Sequence, residues 1–223
     1  MAPLHPYLDL VATRATPAAQ KWLSERLPRL VIESFGGVYS GAGRRLGMAR
    51  VELNASERER LSEARLPLPE GWPLSAVGRA GLLSLVMSAL AREERPKLAQ
   101  SVFKTGDNDE RAALLQALSI LPEPEAFLEL GIDACRTHVQ SVFEAIACEN
   151  PYPMRFFPEH NFNQMVLKSF FTGVAVKRIE GLAARRSPEL VRMAEAYASE
   201  RRAAGRPVPA DLHLVTSPPT TTA

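Results

Sequence analysis

The chain has 223 residues, 46% of them hydrophobic and 23% charged, ordinary globular proportions that argue against wholesale disorder. Lys and Arg number 27 against 25 Asp and Glu, a net charge of +2, too balanced for a broad basic face gripping nucleic acid. Two cysteines cannot build a disulfide framework or a four-thiolate zinc site.

The opening MAPLHPYLDL lacks a basic segment followed by an apolar one. It does not read as a secretory signal, and a soluble cytoplasmic protein with reduced cysteines is expected. Helical periodicity dominates and strand-like alternation is nearly absent. Thr16 and Pro17 start a first helix that runs to about Phe35, with a kink or split at Pro28. The stretch FGGVYSGAGRRLG reads as a flexible loop from its five glycines. Without the closing Lys-Ser/Thr of a phosphate loop, Arg44 and Arg45 make only a weak anion nest there.

Asn54 and Glu57 form a capping box for a short helix through Ala64. A proline-rich linker or turn spans Pro67 to Pro73. Ser75 opens an apolar helix to about Glu93, and its core, Ala80 to Ala91, is too short for a membrane span of ~20 residues. Pro96 begins a helix ending near Lys104. Asp107 and Glu110 cap another that reaches Leu121. A long helix is expected from about Glu125 to Glu149, with Gly131 as a weak point and Asn150 to Pro153 as a firm stop. A further helix runs from Pro158 to about Leu182. Ser187 N-caps the last, which ends at Ala204-Gly205. The predicted fold class is all-α. It is an irregular stack of antiparallel helix hairpins, either a short HEAT-like solenoid or a compact bundle. One domain is expected over residues 1–215, followed by a disordered tail at 216–223.

Two helix faces attract attention. On the 125–149 helix, Ile132, Cys135, Val139, Val142, Phe143 and Ile146 form the core arc at about 100° per residue. A second stripe of Thr137, Ser141, Glu144 and Cys148 either lines a groove or packs closely. On the next helix, Phe162, Val166, Leu167, Phe170, Phe171 and Val174 form an apolar arc. Asn161, Gln164, Lys168 and Thr172 lie opposite and suit a polar ligand, a buried network or solvent. Asn163 falls inside the apolar arc and needs a partner, because an unpaired buried amide costs about 1–3 kcal/mol. The expected partner is the preceding loop.

Cys148, Glu149 and His160 bracket a loop rich in proline and aromatic residues. A thiol nucleophile with a histidine base, or three zinc ligands, can be drawn from them, but the spacing matches no standard site. No nucleotide motif is present, so no cofactor and no metal are expected. His5, His138 and His213 carry no functional reading. Arg178, Arg185 and Arg192 form a candidate anion-binding cluster among interleaved glutamates. No aromatic platform for single-stranded nucleic acid accompanies them.

Several blocks occur in order: Cys148-Glu149-Asn150-Pro151-Tyr152-Pro153, Asn161-Phe162-Asn163-Gln164-Met165-Val166-Leu167-Lys168 and Phe171-Thr172-Gly173-Val174. Arg178-Ile179-Glu180-Gly181-Leu182, Pro188 to Met193 and Glu200 to Pro207 follow. Over Phe143 to Leu212 the chain resembles the C-terminal signature of the EboA family; the remainder shares only a general helical look. The resemblance implies a place beside a prenyltransferase of the UbiA type, sugar-isomerase-like and dehydroquinate-synthase-like proteins and a metal-dependent hydrolase. That setting makes a secondary metabolite, or exports it toward the periplasm. The resemblance supplies a pathway and no catalytic residue; the matching Asn161, Asn163, Gln164 and Lys168 are candidates.

The leading expectation is a non-enzymatic accessory protein that binds a metabolite or a protein of that cluster in a groove between the two C-terminal helices. The candidate ligand-binding residues are Glu144, Asn150, Asn161, Asn163, Gln164, Lys168, Arg178, Arg185 and Arg192, with Tyr152, Phe156 and Phe157 as an apolar wall. One rival is an enzyme using Glu144 or His160 as base, with Lys168 holding an anionic substrate. The other is a pure protein–protein scaffold. No nucleic acid and no transmembrane segment are expected, though peripheral contact with a membrane partner fits.

Overall fold

The computed structural model describes residues 5–217. These are helical and contain no strand; a single bridge pairs Arg50 with Pro73. The chain divides into two compact units, Met1–Leu130 and Gly131–Ala223, each with its own core. The expected tail is described only to Ser217; residues 218–223 lie outside the described part.

The first unit contains α1 (Pro6–Arg14), α2 (Pro17–Arg26), α3 (Ile32–Leu46), α4 (Ala55–Glu63), α5 (Leu74–Ala89), α6 (Arg95–Thr105) and α7 (Asn108–Ala117). Its axis is α5, which is apolar nearly all round and therefore buried nearly all round. α1, α3 and α7 pack on it. Successive helices do pair, as α6 with α7 and α2 with α3, but α5 also gathers helices distant in sequence. α1, absent from the sequence expectation, is short. It is held by burial of Tyr7, Leu8, Leu10 and Val11, with Pro6 in its first turn.

The glycine-rich stretch is a helix, not a loop. Phe35, Val38, Tyr39, Ala42 and Leu46 recur at three- and four-residue spacing and are buried. That burial outweighs the helix cost of glycine, about 1 kcal/mol each. Gly43 has a packing role, since a Cβ there would stand 2.7 Å from the Arg79 guanidinium. Pro28 divides the expected first helix into α2, a 3-10 turn at Leu27–Arg29 and α3. The expected extension of α5 to Glu93 is a separate 3-10 turn at Arg92–Glu94.

One polar knot sits inside this apolar unit. Arg79, 3% exposed, donates through Nε to the Tyr39 carbonyl at 3.1 Å and lies 5.5 Å over the Tyr39 ring. Its Nη2 is 3.7 Å from Glu110 Oε1. The Tyr39 hydroxyl donates to the Glu110 carbonyl at 2.7 Å. The three residues tie α3, α5 and α7 into one register. The predicted caps form: Thr16, Asn54, Asp107 and Ser187 each accept a backbone N–H of the helix that follows. Each such cap contributes about 1 kcal/mol.

The second unit contains most of α8 (Leu128–Ala134), then α9 (Gln140–Ala147), α10 (Pro151–Phe156), α11 (Glu159–Thr172), α12 (Pro188–Ala203) and α13 (His213–Thr216). The long 125–149 helix is broken. A 3-10 turn at Pro124–Phe127 leads into α8, and a turn separates α8 from α9. The expected stop at Asn150 is instead the N-cap of α10, because Pro151 suits a first helical turn. α11 stops ten residues early: Gly173 turns left-handed at φ 73° and Val174 N–H reaches back to the Ser169 carbonyl at 2.9 Å. α11 packs on α9 and α12. Its buried side holds Phe162, Asn163, Met165, Val166, Ser169 and Phe170. Phe171 stands opposite, 66% exposed, with its edge on Tyr197; the expected apolar arc was centred too far round. No helix among the described residues is long and apolar enough to cross a membrane.

A Cβ at Gly36 or Gly37 would meet nothing within 4 Å, whereas at Gly81 it would meet Leu8 Cγ at 2.7 Å. Gly36→Ala and Gly37→Ala are therefore expected to stabilise by about 0.5–1 kcal/mol each, and Gly81→Leu to destabilise by about 1–3 kcal/mol, in urea unfolding. A true loop at residues 36–37 would give no gain.

His5 caps α1 by accepting the Tyr7 N–H, and burial lowers its pKa from 6.5 to about 4. Between those values the unfolded chain takes up a proton that the folded chain refuses. The stability present above pH 6.5 is thus lost as pH falls toward 4. His5→Ser keeps a capping oxygen and cannot titrate, so its melting temperature should fall less over that interval than that of the wild type.

Candidate functional site

A groove of about 500 Å³ lies in the second unit between the end of α8 and the outer face of α11. Ile132, Cys135 and Arg136 come from the α8 side. His160, Asn161, Gln164, Met165 and Lys168 come from α11, where spacings of three and four put them on one face. Phe157, just before α11, completes the wall. The groove thus unites His160, Asn161, Gln164, Lys168 and Phe157 from the sequence reading. It adds Arg136 and Met165, which that reading did not single out, and Ile132 and Cys135, which it had placed on the core arc. Residues 132, 135 and 136 have helical spacing in the sequence, but that spacing does not say that α11 faces them.

Lys168 is the fixed point of the wall. Its Nζ donates to the carbonyls of Cys135 at 2.6 Å and Thr137 at 2.5 Å, and it lies 4.8 Å over the Phe143 ring. These carbonyls belong to the turn that breaks the expected long helix. The Thr137 Oγ accepts the Val139 N–H at 3.1 Å and helps close that turn. Gly131 matters here because a Cβ would crowd the Tyr152 and Phe157 rings, at 3.0 and 3.1 Å. Burial pushes the Lys168 pKa below the ordinary lysine value.

Glu144 does not line the groove. It accepts from Arg178 Nη1 at 2.5 Å and from Gln140 at 2.9 Å. The Arg178 hydrogen bond, followed by the Gln140 one, holds its carboxyl below the usual range. Arg178 also forks onto both oxygens of Glu149 at 2.9 Å. Glu149 is left-handed, φ 46°, and its N–H donates to the Arg178 carbonyl at 2.9 Å. Backbone and side chain of these two residues therefore grip each other.

A family model described as metabolite traffic protein EboA matches residues 7–216. The chain belongs to the EboA family. No curated protein and no solved structure matches it.

The other signature residues of this EboA chain have separate surroundings. Asn150 is 2% exposed; it accepts the Tyr152 N–H and donates to the Ala145 carbonyl at 2.8 Å. Asn163 is 1% exposed, and its amide donates to Ser187 Oγ at 3.3 Å. Its partner is thus the N-cap of α12, not the loop before α11, and its Oδ1 has no protein partner. Arg185 donates to the carbonyls of Met154 at 2.6 Å and Phe157 at 2.7 Å and lies 4.8 Å over Phe162. Arg192 forks onto the exposed Glu189. The three candidate arginines therefore face different partners and do not converge.

The thiols are not activated. Burial raises both Cys135 and Cys148 to about 12, so each stays protonated at neutral pH. No cluster of three or more metal-ligating side chains occurs among the described residues, so Cys148, Glu149 and His160 do not form one.

Removing the Lys168 clasp would leave two carbonyls of the turn without their partner. Lys168→Met should lower unfolding stability by about 1–3 kcal/mol, while Gln164→Ala on the exposed face should change it by less than about 0.5. Urea titration of both variants checks this, and equal stabilities would show that the clasp does not hold the turn.

Proposed function

We propose that this EboA protein is a non-enzymatic binding component of metabolite traffic, holding a small metabolite in the groove between α8 and α11. The observation that carries the reading is the groove wall. It sets amides and an immobilised ammonium beside apolar Ile132, Phe157 and Met165, the usual mixture of a small-molecule site. The family description, metabolite traffic, points to the same class of ligand. Protonated thiols and a Glu144 carboxyl tied to Arg178 favour holding a molecule over transforming it. In this reading the protein works in the cytoplasm. It passes its ligand among the proteins of a secondary-metabolite cluster, making or exporting the product. Asn161, Gln164 and Lys168 bind directly; Asn150, Asn163, Glu144, Arg178 and Arg185 keep the surrounding helices in place.

Native mass spectrometry of protein purified from its own host tests this. The wild type should carry an added small mass that Gln164→Trp, which fills the groove from an exposed position, does not. The same mass retained by the variant, or none on either, overturns the reading.

A further inference from the structure

The charge of the wall narrows the ligand further. Of the residues lining the groove, Arg136 and Lys168 are cationic, Asn161 and Gln164 carry amide donors, and none is a carboxylate. In a chain with nearly equal acidic and basic counts that segregation is a local feature. An ammonium has three donors, and the Cys135 and Thr137 carbonyls take two from Lys168. Arg136 is exposed and held at one point, by Asp133 at 2.6 Å, which leaves guanidinium donors to spare. Near His160, the carboxylate of Glu189 is forked by Arg192.

We infer that the groove takes a small organic anion, a carboxylate or phosphate on an apolar body, with the charged group at the Arg136–Lys168 end and the body against Phe157 and Met165. This rests on the groove being the metabolite site. A neutral ligand would leave the exposed Arg136 donors to water, whereas a carboxylate or phosphate pairs charge with charge and fits the guanidinium fork with two parallel hydrogen bonds. The clasp on Lys168 fixes the ammonium before the ligand arrives, so little side-chain freedom is lost on binding.

The test compares two fluorescent probes of similar apolar body on the full chain: the anionic anilinonaphthalene sulfonate and the neutral N-phenylnaphthylamine. The anion should bind at least about tenfold more tightly, equivalent to about 1.4 kcal/mol. Arg136→Glu should weaken the anionic probe at least about tenfold more than the neutral one, and Gln164→Trp should abolish both. Circular dichroism confirms that the variants fold. Competition by inorganic phosphate or by benzoate then separates the two anion sources. Equal binding of both probes, lost in Gln164→Trp, overturns the anionic class and leaves the groove as the site. No binding, or binding indifferent to Gln164→Trp, removes the groove itself and the inference with it.

Discussion

The site depends on one ammonium held by two carbonyls. Lys168 stands on α11, and Cys135 and Thr137 belong to the turn after α8. Carbonyls in a turn that follows a helix have left the hydrogen-bond ladder and need donors from elsewhere. A lysine from a neighbouring helix satisfies them and fixes the distance between the two elements. The same contact holds the ammonium where it lines the wall, so packing and recognition use one side chain.

The surrounding cations follow a different logic. Arg185 satisfies the C-terminal carbonyls of α10, and Arg178 joins α9 to the segment after α11 through Glu144 and Glu149. Arginine suits both tasks because its planar fork makes several hydrogen bonds from one fixed geometry. Arg178 and Arg185 are therefore internal ties. Arg136, like Arg192, is exposed and paired with a neighbouring carboxylate, but it stands at the groove.

The first unit shows how a buried ion pair is tolerated. Arg79 enters an apolar core with a carboxylate, a carbonyl and an aromatic face as company. Removing one member of such a pair costs about 3–5 kcal/mol, more than the intact pair contributes. Its consequence is register: α3, α5 and α7 have one relative setting in which all three groups meet. Gly43 makes room for the guanidinium at that crossing.

What the sequence by itself determined is local. The all-α class, the capped starts at Thr16, Asn54, Asp107 and Ser187, and the polar face of Asn161, Gln164 and Lys168 were readable because caps and periodicity act within a few residues. The glycine-rich stretch was misread because composition records propensity, whereas burial of Phe35, Tyr39 and Leu46 against α5 decides the conformation. The break after α8 carries no proline; its turn is closed by Thr137 Oγ on the Val139 N–H and by Lys168, over thirty residues away, on two of its carbonyls. The tertiary structure alone therefore set Arg136 and Cys135 beside α11 and took Glu144 out of the groove. Contacts between distant segments decided those positions, and no local pattern encodes them.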